Sequence, residues 1–330
     1  MTSPDRAARY RGLQHLPITL FTTVMGLIGL SLALYQAAAM LRWSMVIPAV
    51  IYWFGVAVFA AVACGYLLKL LRYRQAVLAE WRDPEQIAYF PAISISILLV
   101  ATATVTMSEP IGHGLWLVGV AAQAALTLSV ISSWIGRREF QHPQLCPAWF
   151  IPAVGNVIVA FAGVPLGYLE ISWLFFSLGL MFWVILLTLV VNRLIFHAPL
   201  PARLQPTLVI LIAPPALGFS AYLGLTGQVD PMAHMLLDFG YAFALVVSTQ
   251  GLKILRLPFS MSFWALSFPV AALTIASFKY ADAAQSRAHV YIGLALLSVL
   301  VLTIIVLILR TVQAFVRGDI FKPEEDGSAA

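Results

Sequence analysis

The side chains that could do chemistry in this chain are few and widely spaced. His15, His113, His142, His197, His234 and His289 stand at the ends of apolar runs or between them. Cys64 and Cys146 fall in or beside different apolar segments, with neither metal-ligand spacing nor a disulfide framework, and both are expected to be buried small residues. There is no His-Glu-x-x-His motif, no phosphate-cradling glycine loop and no nucleotide domain. Haem ligation would require histidines inside facing helices. The expectation is therefore no cofactor, no metal and no enzyme. One ionisable group, Asp238, lies clearly inside an apolar run. An intramembrane carboxylate is a functional candidate by default, which makes Asp238 the candidate coupling residue of a proton-driven carrier, against capping or pairing near an interface. Such a pump would be expected to bury a chain of acids or histidines, and the lack of one points to passive permeation. Lys279, at the end of another run, can snorkel to headgroups or attract anions.

The remaining polar groups are nearly all neutral. Thr19, Thr22, Thr23 and Ser31 share the first apolar run, and Ser94, Ser96, Thr102 and Thr104 share the third. Asn156 lies in the fifth, Ser220 in the seventh, and Ser262, Ser267, Thr274 and Ser277 in the ninth. Each hydroxyl can simply bond the preceding turn of its own helix. Together they could line a mildly polar route, kept open by small residues such as Gly26, Gly29, Gly155, Ala271 and Ala272.

The elements that would position these groups are membrane helices. The chain has 330 residues, 61% hydrophobic and 10% charged, with a mean hydropathy of +0.92. A soluble domain carries about 25% charged residues. The net charge of +5 sits between apolar runs without forming a patch for nucleic acid, so the expected surroundings are lipid. Apolar stretches predict ten spans, at 16–41, 46–70, 88–108, 113–136, 147–165, 170–195, 206–225, 232–254, 261–280 and 288–316. The first is too long for a signal-peptide core despite Arg6, Arg9 and Arg11 before it. With ten spans, 16 of the 19 Lys and Arg fall on the side of the two termini. They include Lys69, Arg72, Arg74, Arg82, Arg137, Arg138, Arg193, Arg203, Lys253 and Arg256. That asymmetry predicts cytoplasmic termini, with 1–15 a cytoplasmic lead, 16–316 the membrane domain and 317–330 a cytoplasmic tail.

Proline follows a second pattern. Pro17, Pro91, Pro152, Pro214, Pro215 and Pro269 all belong to odd-numbered runs, whereas the even runs have Pro48 and Pro231 only near their starts. Internal proline removes a helix hydrogen bond and kinks the helix. Five kinked helices alternating with five smooth ones predict five hairpins, odd helices inside and even helices toward lipid.

Four blocks then carry a family resemblance: LPITLFTTVMGLIGLSLAL at 16–34, PAWFIPAVGNVIVAFAGVPLGYLE at 147–170, PTLVILIAPPALGFSAYL at 206–223 and SFWALSFPVAALTIAS at 262–277. In this order and spacing the chain resembles the tellurite-resistance/dicarboxylate transporter family, which includes the bacterial tellurite-resistance permease and the slow anion channels of plant guard cells. The resemblance covers nearly all ten spans. It implies an all-α membrane fold of five helical hairpins around a central pore lined by odd helices, and a homotrimer with one pore per protomer in the bacterial inner membrane. The family's gate is a phenylalanine in a Trp-Ala-x-x-Phe setting, which falls on Phe268, followed here by Pro269 where some bacterial relatives have glycine. The expected lining is Thr22, Thr23, Gly26, Ser94, Ser96, Thr102, Asn156, Ser220, Ser267 and Thr274. Such a pore would pass small monovalent anions, nitrate more readily than chloride. The alternative is a proton-coupled carrier or exporter of tellurite or of dicarboxylates such as malate. A membrane enzyme or sensor would need a cytoplasmic domain larger than FKPEEDGSAA.

Overall fold

The computed structural model describes residues 12–136, 140 and 144–317. Arg6, Arg9, Arg11, Arg137, Arg138, His142 and the segment after 317 lie outside the described residues, as does most of the expected N-terminal lead. Within them the chain is helical with no strand. Nine helices are long and apolar enough to cross a membrane, and Pro147–Gly163 is a shorter apolar helix. The α-helical parts of these ten are α1 (Phe21–Leu41), α2 (Val46–Arg72), α3 (Ala92–Val105), α4 (Glu109–Gly136), α5 (Phe150–Gly163), α6 (Leu169–Phe196), α7 (Ala213–Thr226), α8 (Pro231–Ser248), α9 (Ser267–Ala283) and α10 (Arg287–Arg317).

Each odd-numbered helix begins as a tighter coil. Stretches of 3-10 helix, Ile18–Leu20, Gln86–Tyr89, Pro147–Trp149, Ala202–Ile212 and Met261–Leu266, lead into α1, α3, α5, α7 and α9. The prolines mark these junctions. Pro91 is the N-cap of α3, while Pro152, Pro215 and Pro269 are the third residues of α5, α7 and α9, and Pro214 precedes Pro215. The expected mid-helix kinks are thus changes of helix type. Proline lacks an N–H and its ring crowds the carbonyl four residues back. It fits the first α turn, and the chain before it takes the i to i+3 pattern instead.

The odd helices close a ring: α1 packs on α3, α3 on α5, α5 on α7, α7 on α9, and α9 returns to α1. Each even helix packs back on the odd helix before it. In the odd spans other than the short fifth, 72–83% of the most apolar stretch is buried, against 17–33% in the even spans. The predicted inner and outer sets therefore follow the proline alternation. At the α1–α9 seam the backbones approach closely. A Cβ on Gly26 would stand 2.9 Å from Ser267 Cβ, and one on Gly29 would stand 3.0 Å from Ala271 Cβ and 3.2 Å from Phe268 Cδ2.

Three details depart from expectation. The eighth span stops at Ser248 instead of 254, where Ser248 and Thr249 turn their hydroxyls onto the Leu245 and Val246 carbonyls. A separate short helix, Gly251–Leu255, follows. Cys64 is exposed, not buried, because it lies on an outer helix whose apolar surface faces away from the ring. Lys69 is buried and structural: its ammonium contacts Glu80 Oε1 at 2.7 Å and donates to the Leu16 carbonyl at 2.8 Å. The Tyr66 hydroxyl donates to Glu80 Oε2 at 2.6 Å. This cluster ties the approach to α1 to the corner between α2 and a short amphipathic helix, Arg74–Arg82.

Candidate functional site

Inside the ring, residues from all five odd helices or their lead-ins surround a cavity of about 40 Å³, room for a few waters. α1 contributes Thr22 and Met25, and α3 contributes Ile95. Phe150, Ile151, Val154, Gly155 and Ile158 come from α5, followed by Ile210, Ala213, Pro214 and Leu217 around α7. Trp264, Ala265, Phe268 and Pro269 complete the wall. Phe268 is 7% exposed. Its place follows from the junction: it is the second residue of α9, held between the 3-10 segment and Pro269, with Gly29 leaving room for the edge of its ring. Trp264 is anchored from outside, its indole N–H donating to Thr311 Oγ1 on α10 at 2.9 Å.

The lining carries no ionisable side chain. Its one hydroxyl, on Thr22, donates to the Thr19 carbonyl at 2.6 Å. Of the expected lining residues Thr22 borders the cavity, as does the expected gate Phe268, whereas Thr23, Gly26, Ser94, Ser96, Thr102, Asn156, Ser220, Ser267 and Thr274 do not; the junction prolines Pro214 and Pro269 also border it. Most of these hydroxyls serve their own backbone. Thr23 donates to Leu20 O, Ser96 to Ala92 O, Thr102 to Leu98 O, Ser267 to Trp264 O and Thr274 to Val270 O, at 2.6–2.8 Å. Thr23, Ser96 and Ser267 lie close to the helix-type junctions, where carbonyls lose regular partners, whereas Thr102 and Thr274 bond back inside their helices.

Sequence reasoning missed a buried amide network. Gln123, on α4, is fully buried and faces inward. Its Oε1 accepts from Ser94 Oγ at 2.7 Å, and its Nε2 donates to Thr127 Oγ1 at 3.0 Å and to the Pro152 carbonyl at 3.3 Å. Asn156 Nδ2 donates to Pro152 O at 3.0 Å and to Ala153 O at 2.9 Å. The network locks α3, α4 and α5 together at the level of the α5 junction. The spacing of Gln123 and Thr127, four residues apart on one face of an otherwise apolar helix, was the available signal.

Asp238 lies exposed on α8, an outer helix, and borders no part of the cavity. Among the described residues no group of His, Cys, Asp and Glu could hold a metal ion. Cys146, before the 3-10 lead-in to α5, has its thiol pushed up to about 12, chiefly by burial, and is inert at neutral pH. Asp230 caps α8. Its carboxyl is held below the ordinary range first by the Tyr222 hydroxyl, then by the Ala233 N–H.

A closed ring of apolar helices around an enclosed apolar cavity is an arrangement that suits a membrane channel or transporter. The chain belongs to the SLAC1 family, described as voltage-dependent anion channel, with the match over residues 15–312. It is 28% identical to the S-type anion channel SLAH2 of Arabidopsis thaliana over 94% of this chain and 61% of that one. It is 26% identical to the tellurite resistance protein TehA homolog of Haemophilus influenzae over 93% of both. An uncharacterized transporter of Methanocaldococcus jannaschii, MJ0576, is 23% identical over 82% of this chain and 85% of its own. The chain spans less than two thirds of the plant relatives SLAH2 and SLAH3, covering 61% and 43% of their lengths. The family resemblance read from the four sequence blocks holds.

Proposed function

We propose that the chain is a passive anion channel for small monovalent anions, with Phe268 as the gate. The observation that carries this reading is the closed ring of odd helices around an apolar cavity that Phe268 helps to wall. An aromatic ring across a narrow apolar lumen blocks ions by denying them hydration, so the barrier is one of dewetting. Without a fixed charge at this level, an ion loses much of its hydration on passing, and weakly hydrated nitrate passes more readily than chloride. The name of the plant relative SLAH2, an S-type anion channel, supports the choice of anions. A proton-coupled carrier of tellurite or dicarboxylates finds less support, because Asp238 is exposed on an outer helix.

The positive-inside asymmetry supports cytoplasmic termini, and the similarity to the Haemophilus influenzae TehA homolog supports a bacterial inner membrane. The exposed apolar faces of the outer helices suit lipid or neighbouring protomers, in keeping with a homotrimer that has one pore per protomer. Reversal potentials of the reconstituted protein under nitrate and chloride gradients test the reading. A nitrate preference over chloride, with cations excluded, is the expected result, and equal permeability to the two anions refutes the selectivity argument.

A further inference from the structure

The inward faces of the odd helices continue past the cavity toward their C-terminal ends. On α5 the last lining residue is Ile158, and Phe161 follows three positions later on the same face. On α7 the last lining residue is Leu217, and Ser220 follows at the same interval. On α9 Phe268 is succeeded by Lys279 after eleven residues, which at 100° per residue returns to within about 20° of the same face. These three residues meet. Lys279 Nζ lies 5.2 Å from the centre of the Phe161 ring and 3.5 Å from the Ser220 carbonyl oxygen. In the ring α7 stands between α5 and α9, so a side chain of α9 that reaches α5 must cross the interior.

The ammonium found there is poorly satisfied. It has three protons to donate, against a ring face and one carbonyl at the outer limit of hydrogen bonding. No described carboxylate pairs with it. Beside it, Ser220 is 2% exposed, and its hydroxyl has no hydrogen-bond partner. A buried hydroxyl without a partner is costly, and the half-buried ammonium beside it has no counter-charge among the described residues. Both deficits are met by one species, a small anion.

We infer that Lys279 and Ser220 form a binding station for a small inorganic anion on the axial route. It lies about 16 Å from Phe268 toward the C-terminal ends of the inner helices. The inference rests on the reading of the chain as an anion channel and adds to it a charged recognition step in series with the uncharged cavity. An anion there exchanges part of its hydration for the ammonium and the Ser220 hydroxyl. The cation–π contact with Phe161 holds the lysine toward the axis when no anion is bound. The station concentrates anions and repels cations before they reach the gate.

The test combines conduction and binding. In the Phe268→Ala channel, Lys279→Met is expected to lower single-channel conductance about tenfold at low chloride. The loss should shrink at about 1 M salt, where charges are screened within about 3 Å. Lys279→Arg should retain most of the conductance. Independently of conduction, chlorine NMR line broadening by the detergent-solubilised full chain should weaken in Lys279→Met and in Ser220→Ala, and persist in Lys279→Arg. If Phe268→Ala passes no anions but the Lys279-dependent broadening remains, the gate reading fails and the station stands. If Lys279→Met matches its parent in conductance at both salts and in line broadening, the lysine is off the route and the inference is overturned.

Discussion

Truncating Phe268 to alanine removes the ring that α9 contributes to the cavity wall while leaving the junction at Pro269 in place. Burial of a phenylalanine side chain is worth about 1.5–3 kcal/mol. With closure resting on that burial alone, the closed form outweighs the open one by about 10- to 150-fold. The alanine channel should therefore pass about 10- to 150-fold more current per protein than the parent, and leucine should fall between. The change also costs stability, up to about 3–5 kcal/mol in a fully packed core. Here the cost should be lower, because the ring already borders a cavity of about 40 Å³. The assay is anion current in planar bilayers at matched protein loading, with gel filtration to show that the variant is intact. An intact variant with current within about twofold of the parent would refute the dewetting argument, because the ring would then be packing alone.

Gln123→Leu should lower the thermal midpoint in detergent by an amount equivalent to about 1–3 kcal/mol. It strips partners from Ser94, Thr127 and the Pro152 carbonyl; an unchanged midpoint would mean the network is idle. Gly26→Val puts a Cβ 2.9 Å from Ser267 Cβ, and should destabilise the α1–α9 seam by about 1–3 kcal/mol, read from the same melting curve. Asp230 binds its proton less readily in the folded chain than in the unfolded one. Its contribution is present above the ordinary carboxylate value and is lost as pH falls through the lowered one. The midpoint of Asp230→Asn should accordingly fall less steeply below about pH 4 than that of the parent; parallel profiles would rule this out.

Much of the architecture was legible because a membrane makes strong demands on sequence. Apolar runs must be long, charges must collect at their ends, and proline must sit where a missing N–H is tolerated. That was enough to separate α1, α3, α5, α7 and α9 from their outer partners. What proline cannot reveal is whether a helix bends or changes type, since both begin with the same missing donor. The cavity lining was harder to read. A serine such as Ser96 can donate to its own turn or face a lumen, and the two uses leave identical sequences. Phe268 was legible through the family resemblance, being one of 20 phenylalanines with no local feature that sets it apart. Lys69 looked like one more basic residue marking the cytoplasmic side, because its partner Glu80 belongs to a short polar helix that apolar periodicity does not register.

The 3-10 lead-ins give the ring a form of gearing. A 3-10 residue advances about 120° and 2.0 Å, an α residue about 100° and 1.5 Å. Each residue of Met261–Leu266 that changed from one form to the other would turn α9 relative to the start of the segment by about 20° and draw it in by about 0.5 Å. All six together amount to a third of a turn and about 3 Å. Phe268, at the second position past the junction, would be swung like the key of a lock. Outer helix α10 is the brake on that rotation, since the bond from Trp264 in the lead-in to Thr311 must break or travel with it.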